Sequence, residues 1–205
     1  MSAESKAVSA MSKSGFWEET FTPPLSPLDG RYRRQVAPIA NWLSEEALNR
    51  ARIFVETRWL QFLLEKKVIG NLEPLTASET EYLSDLANDF NEQRRTRLAE
   101  LEAETRHDVK AVEYLLREHL VESENPKLVG LVELTHFLCT SEDINNLAYA
   151  LCVRGALDQV WLPAARGLQQ ELAALAEANA KTPMLARTHG QPATPTTLGK
   201  ELAVF

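Results

Sequence analysis

The sequence predicts an all-α protein, and three observations carry that prediction. Apolar residues recur near a period of 3.6 in one segment after another, while no useful length alternates with period 2, so strands should be few and short. No repeat of roughly 20 to 50 residues appears, which excludes a solenoid or propeller. The bulk composition, 44% hydrophobic and 25% charged over 205 residues, fits a soluble globular chain whose core needs neither disulfide nor metal. No apolar run approaches the roughly 18 residues that span a bilayer.

The elements follow in order. Residues 1–22 are rich in Ser, Ala and Lys with no Arg and no apolar core, so they read as a disordered tail rather than a signal or transit peptide. "PPLSPLDGRYRR" carries three prolines and the Asp29-Gly30 turn, which predicts an ordered loop from Pro23 to about Arg34. From Asn41 a helical stripe of Leu43, Ala47, Ile53, Phe54, Trp59, Leu60, Leu63 and Leu64 runs until Gly70 and Asn71 interrupt it. A second helix fits Ser78 to Phe90 after Pro74, and a polar stretch, Asn91 to Arg97, follows it.

Val109, Val112, Leu115, Leu116 and Leu120 form the next stripe; Thr105 and Asp108, three residues apart, resemble a capping box with His107 in the first turn. The same device recurs at "CTSEDINNLAYAL", where Thr140 caps and Ile144, Leu147, Ala148 and Leu151 line one face. Pro163 should break or kink the run that follows, before Leu168, Leu172 and Leu175 mark another amphipathic helix ending near Asn179 to Pro183. A loop then leads to Thr194-Pro195, read as a cap with proline at the first helical position, and Leu198, Leu202 and Phe205 begin a new apolar face. That face ends after about two turns without a cap, so the expectation is the N-terminal part of a longer protein.

A net charge of −7 argues against an extended nucleic-acid surface, although Arg31, Arg33 and Arg34 can form a local anion site. Cys139 and Cys152 lie in apolar patterns and fit buried thiols in a reducing compartment, the cytoplasm.

Four clusters carry residues able to do chemistry. His189, in a loop between predicted helices with Gly190 beside it, can donate or accept a proton near neutral pH; the alternative is a loop histidine without a role. His107 stands at a helix start, where free N–H groups favour an anion, or is a solvated residue of an ordinary cap. Thr140, Ser141, Glu142, Asp143, Asn145 and Asn146 crowd polar groups at another helix start, suited to a carboxylate or phosphate; two asparagines inside a helix are poor helix formers and imply fixed hydrogen-bonding work. Arg31 and Tyr32 offer a guanidinium and a phenol for a phosphate, against the reading of an exposed turn. His119 and His136 read as packed or capping residues, and His136 with Cys139 does not make a zinc site, so neither metal nor cofactor is expected.

Taken together, "SPLDGRY" (Ser26 to Tyr32), "RHDVKAVEYL" (Arg106 to Leu115), "HFLCTSEDINN" (His136 to Asn146) and "ARTHGQPATPTTLGKE" (Ala186 to Glu201) resemble the adenylosuccinate lyase family, within the fumarase/aspartase superfamily. The likeness runs from about Pro24 to Phe205. It implies a helical N-terminal domain over 23–130 and, over 131–205, the start of a central domain of long helices that form a homotetramer. It also implies β-elimination of fumarate from a nucleotide substrate, adenylosuccinate or the succinyl-carboxamide ribotide of purine biosynthesis, giving AMP or AICAR. By motif, His189 would be the general acid, Arg31 and Tyr32 would bind the nucleotide, His107 and Asp108 would contact substrate, and Thr140 and Ser141 would hold the succinyl part. Arg106 stands where the long bacterial form carries Asn, so its role is left open. The family's base is a serine on an "SSxMPxKxNP" loop, and no such segment occurs here; the expectation is a chain inactive alone and prone to aggregate. Another fumarate-releasing lyase of the superfamily, or a non-catalytic helical interaction domain, are the rival readings.

Overall fold

The computed structural model describes residues 26–70 and 72–205; the tail expected over residues 1–22 lies outside them. The chain forms two units, Met1–Ala37 and Pro38–Phe205. In the first, Ser26 to Tyr32 make the turn expected of "SPLDGRY": the Ser26 hydroxyl and backbone N–H both donate to Asp29 Oδ2, and Tyr32 N–H donates to the Pro27 carbonyl.

Helix begins well before the Asn41 expected of it, and the run is divided in two. Helix α1 spans Arg33–Leu43 and α2 spans Glu45–Glu65, with Ser44 between them as an N-cap whose hydroxyl accepts from Ala47 N–H. Helix α3 (Ala77–Asn88) begins at a full capping box between Thr76 and Glu79. The polar stretch Asn91 to Arg97 is not a connection but the first half of α4 (Glu92–Thr105). Only Leu98 and Leu101 of α4 are buried, so its apolar period is too sparse to read; Asn91 caps it, and Arg94 and Arg97 tie it to Asp85 and Glu118.

Helix α5 spans Asp108–Glu122, followed by the short α6 (Pro126–Val129) and a 3₁₀ turn at Val132–Leu134. Helix α7 (Ser141–Ala156) passes through a π-helical segment, Leu157–Trp161, directly into α8 (Leu162–Ala178). Pro163 therefore neither breaks nor ends the run; it sits in the first turn after the π segment, where the helix has slack to place its ring. The result is one rod of about 38 residues, or roughly 55 Å at 1.5 Å per residue.

Strands β1 (Pro183–Thr188) and β2 (Gln191–Thr197) pair antiparallel, and α9 (Leu198–Leu202) follows. Thr194-Pro195 is thus strand, not helix start; the cap is Thr197, whose hydroxyl accepts from Lys200 N–H. Both strands of a two-stranded sheet are edges, which is where Pro192 and Pro195 are tolerated without a donor. The hairpin's base is anchored on the end of α8 by Leu198 N–H to the Thr182 carbonyl and Gly199 N–H to the Asn179 carbonyl. Gly199 is required there, since a Cβ would lie 2.3 Å from the Ala176 carbonyl oxygen.

The main core gathers Ile53, Leu60 and Leu64 of α2 with Leu83 and Leu86 of α3 and Val112, Leu116 and Leu120 of α5. A smaller cluster, Val55, Val109 and Ile144 with Cys139 against it, joins α2, α5 and α7. Helix α8 buries no residue and shows Leu168 and Leu175 at 63% and 49% exposure. Among the described residues no helix is long and apolar enough to cross a membrane.

Candidate active site

The connection between α4 and α5 is two residues long. Arg106 takes the left-handed conformation (φ 52°), its N–H donating to the Glu102 carbonyl to close α4, and His107 turns extended to open α5. The expected capping box is corrected here: Thr105 belongs to the end of α4, where its hydroxyl donates to the Leu101 carbonyl, and His107 itself is the N-cap. Its Nδ1 accepts from Lys110 N–H at 3.3 Å, which leaves Nε2 facing away from the helix.

Helix α7 starts beside it. Thr140 is the N-cap expected of it, its N–H donating to Asp143 Oδ2 at 2.8 Å. Ser141 then places its hydroxyl 3.5 Å from His107 Nε2. Two helix starts thus converge on one patch of surface.

Their convergence is held from below by a residue the sequence reading passed over. Arg52 of α2, only 4% exposed, donates from Nη2 to Asp108 Oδ2 at 2.5 Å, from Nε to Asn145 Oδ1 at 2.9 Å and from Nη1 to Asn49 Oδ1 at 3.0 Å. One guanidinium fork therefore ties α5 and α7 to α2, a use of its planar donors that no ammonium reproduces. Asn145 passes the link on, donating to Glu142 Oε1 at 3.0 Å, and Asn146 donates to the Glu142 carbonyl. The hydrogen-bonding work expected of the two asparagines is present. An arginine next to Ile53 inside a buried stripe was the available signal, because such a charge needs partners.

The Asp108 carboxyl is spoken for within the protein. Burial pushes its pKa up, but the Val109 N–H and the Arg52 guanidinium outweigh burial and hold it below the usual carboxylate range. It stays ionised and orients the start of α5. A shallow cleft of about 490 Å³ opens over this junction, lined by Arg52, Arg106, His107 and Asp108 with Tyr149 of α7.

The remaining predicted residues belong to other elements. Arg31 lies over the Tyr32 ring at 5.6 Å in the Met1–Ala37 unit. His189 is exposed, not in a loop between helices but in the two-residue turn of the β1–β2 hairpin, with φ 49° and Gly190 at φ 76°. Both residues at positive φ match the turn that best fits strand twist. No hydrogen bond links His189 to the α5–α7 junction, and the rod from Ser141 to Ala178 stands between them. Even a hairpin folded fully back along the rod, about 20 Å of strand, leaves tens of ångströms between His189 and Ser141 within one chain.

His119 and His136 are packed as expected, His119 against Tyr82 and His136 against Glu56. His136 and Cys139 do not share a helix; they lie in the turns before Thr140. Among the described residues no cluster of His, Cys, Asp and Glu has metal-binding geometry.

A lyase family model matches residues 30–205. The chain is 46% identical over 179 residues to the adenylosuccinate lyase of Haemophilus influenzae, 44% over 181 residues to that of Legionella pneumophila, and 44% over 179 residues to that of Escherichia coli K12. These alignments cover 87% or 88% of this chain and 39% of each relative, so the chain spans about two fifths of the length of these curated proteins. Among solved structures, a fumarate lyase from Mesorhizobium sp. BNC1 matches with a TM-score of 0.61 at 22% identity, covering 81% of this chain and 36% of that one. That likeness concerns the fold alone.

Proposed function

This chain belongs to the lyase family of the fumarase/aspartase superfamily, and from that premise we propose that it is the N-terminal portion of an adenylosuccinate lyase. The reaction is β-elimination of fumarate from a succinylated purine nucleotide or its ribotide precursor. A base takes the proton from the succinyl Cβ, the carbanion is stabilised as an aci-carboxylate, and the C–N bond breaks as an acid protonates the leaving nitrogen.

The observation that carries the proposal is the convergence of His107 and Ser141 at two helix starts. Hydroxyls, an imidazole and helix dipoles meeting at one patch suit a dicarboxylate whose negative charge grows in the transition state. Thr140 and Ser141 hold the succinyl part, His107 contacts substrate with Asp108 orienting it, Arg106 lies at the cleft rim, and Arg31 and Tyr32 bind the nucleotide. His189 is the general acid. No residue of the 205 is assigned the base.

The rod between Ser141 and His189 supports an assembly in which the site combines elements of several copies. A hairpin that cannot reach its own α7 start can reach another subunit's, and the unburied apolar residues of α8 suit packing between copies. A homotetramer of long helices, in a cytoplasmic enzyme without nucleic-acid or membrane partners, meets both demands. Residues 23–130 are then the N-terminal domain and 131–205 the start of the central one.

Fumarate release from adenylosuccinate tests the reading. The 205-residue chain alone should release none, and a protein of the relatives' full length should turn over, with His189→Ala lowering kcat by about 10² to 10⁴. Undiminished turnover by that variant, or clear turnover by this chain alone, would overturn it.

A further inference from the structure

We propose that Glu56 and His136 are positioning residues that fix the approach of residues 135–140 to the start of α7, an inference that rests on the elimination reading, in which Thr140 and Ser141 hold the substrate's carboxylates.

The segment before α7 is strained. His136 and Leu138 have φ of 59° and 64°, in the left-handed region where a side chain's Cβ crowds the backbone. Such a path persists only where contacts over-determine it. Helix α2 supplies them: His136 Nδ1 donates to Glu56 Oε1 at 2.6 Å, and the Trp59 indole N–H donates to the Phe137 carbonyl at 2.7 Å. Cys139, the next residue but one, packs on the Val55, Val109 and Ile144 cluster. Thr140 follows immediately.

Glu56 lies one helical turn after Arg52, so both project from one face of α2. Arg52 grips α7 through Asn145, and Glu56 grips the segment that leads into α7. The start of α7 is thus held from both sides by neighbouring charges of one helix.

A contact made for stability alone would not have this form. The Glu56 side chain is fully buried and that of His136 is 18% exposed, and an apolar pair would hold two segments together without desolvating a carboxylate. Glu56 Oε2 has no partner. The groups facing Glu56 add little relief: Glu113 of α5, already paired with Lys110 and Arg117, is a like charge, and the nearby Cys139 thiol, pushed up by burial and by the Glu56 charge, stays protonated. Burial pushes the Glu56 carboxyl up, against the bond and charge of His136. What the pair provides is direction: a charged, short hydrogen bond fixes the imidazole plane, and with it the backbone course from His136 to Thr140.

The test uses the purified 205-residue chain, NMR of backbone amides and histidine rings, and succinate as the probe. In the wild-type chain succinate should shift the Thr140 and Ser141 amides saturably. Glu56→Gln and His136→Gln should each weaken succinate about tenfold and move the amide signals of residues 136–141, while the Tyr82 and His119 signals stay in place. Wild-type succinate affinity in both variants, or Thr140 and Ser141 amides that move in neither, would overturn the proposal. A wild-type chain silent toward succinate overturns the placing of the carboxylates on this helix start alone, and the amide positions in the two variants then decide the positioning role by themselves.

Discussion

His107 Nε2 and Ser141 Oγ stand 3.5 Å apart although 34 positions separate them in sequence. Nothing in either residue's own helix brings this about; the guanidinium of Arg52 does, by binding Asp108 next to one and Asn145 one turn beyond the other. Arg52→Met is therefore expected to destabilise the fold by about 2–3 kcal/mol, because it leaves a carboxylate and an amide without their partner. Arg52→Lys should recover only part, having the charge but not the fork. Urea denaturation of the two variants measures both, and an unchanged midpoint in Arg52→Met would refute the tie.

Acid should loosen the junction of α3 and α6. Glu79 caps α3 through Thr76 N–H and also binds Lys127, and these bonds, the Lys127 contact first, hold its pKa at about 2, below the usual 4.5. A carboxyl depressed by folding contributes stability that is full above its unfolded value and lost as pH falls toward the folded one. Stability should decline between about pH 4.5 and 2, and Glu79→Gln should remove that part of the decline. Denaturation midpoints at a series of pH values read the difference.

Tyr82 and His119 bind each other twice. The Tyr82 hydroxyl donates to the His119 carbonyl at 2.8 Å, His119 Nε2 lies 2.9 Å from the Tyr82 carbonyl, and the rings stack at 4.2 Å. Burial pushes the His119 pKa down, so the neutral ring is the folded form, and stability should fall as pH drops below about 6.5, where the unfolded chain gains a proton first. His119→Gln should flatten that pH dependence. Tyr82→Phe, which leaves a carbonyl without its donor, should cost about 1 kcal/mol, read from thermal melts.

At the hairpin tip stability and proposed activity should part. His189 holds φ at 49° and is exposed, a conformation asparagine adopts more readily. His189→Asn should leave the folded chain as stable or a few tenths of a kcal/mol more so, while abolishing fumarate release in a protein of the relatives' length. Loss of stability without loss of turnover would contradict both expectations.

Much of the fold was legible because burial imposes a period. The stripes of α3 and α5 and the Thr140 cap each follow from nearby residues and are found as expected, whereas Leu43, Phe54, Leu147 and Leu151 of the stripes expected around α2 and α7 are exposed. Helix α4 escaped because it shows the core only two leucines, and the hairpin because its strands bury almost nothing and so carry no alternation. Arg106 and His107 were recognisable as residues of interest, but not as the whole connection between two helices.

By itself the sequence determined the helical class, the starts of α3 and α7, and the residue types able to bind anions or move a proton, since these rest on neighbours within a turn or two. Only the tertiary structure decided which of them meet. His107 and Ser141 converge because Arg52, Val55 and Glu56 of a third helix are buried between their elements. His189 is kept from them by a helical rod of about 55 Å that admits no bend back upon itself. Distances of that kind depend on partners far away in sequence, and no local pattern carries them.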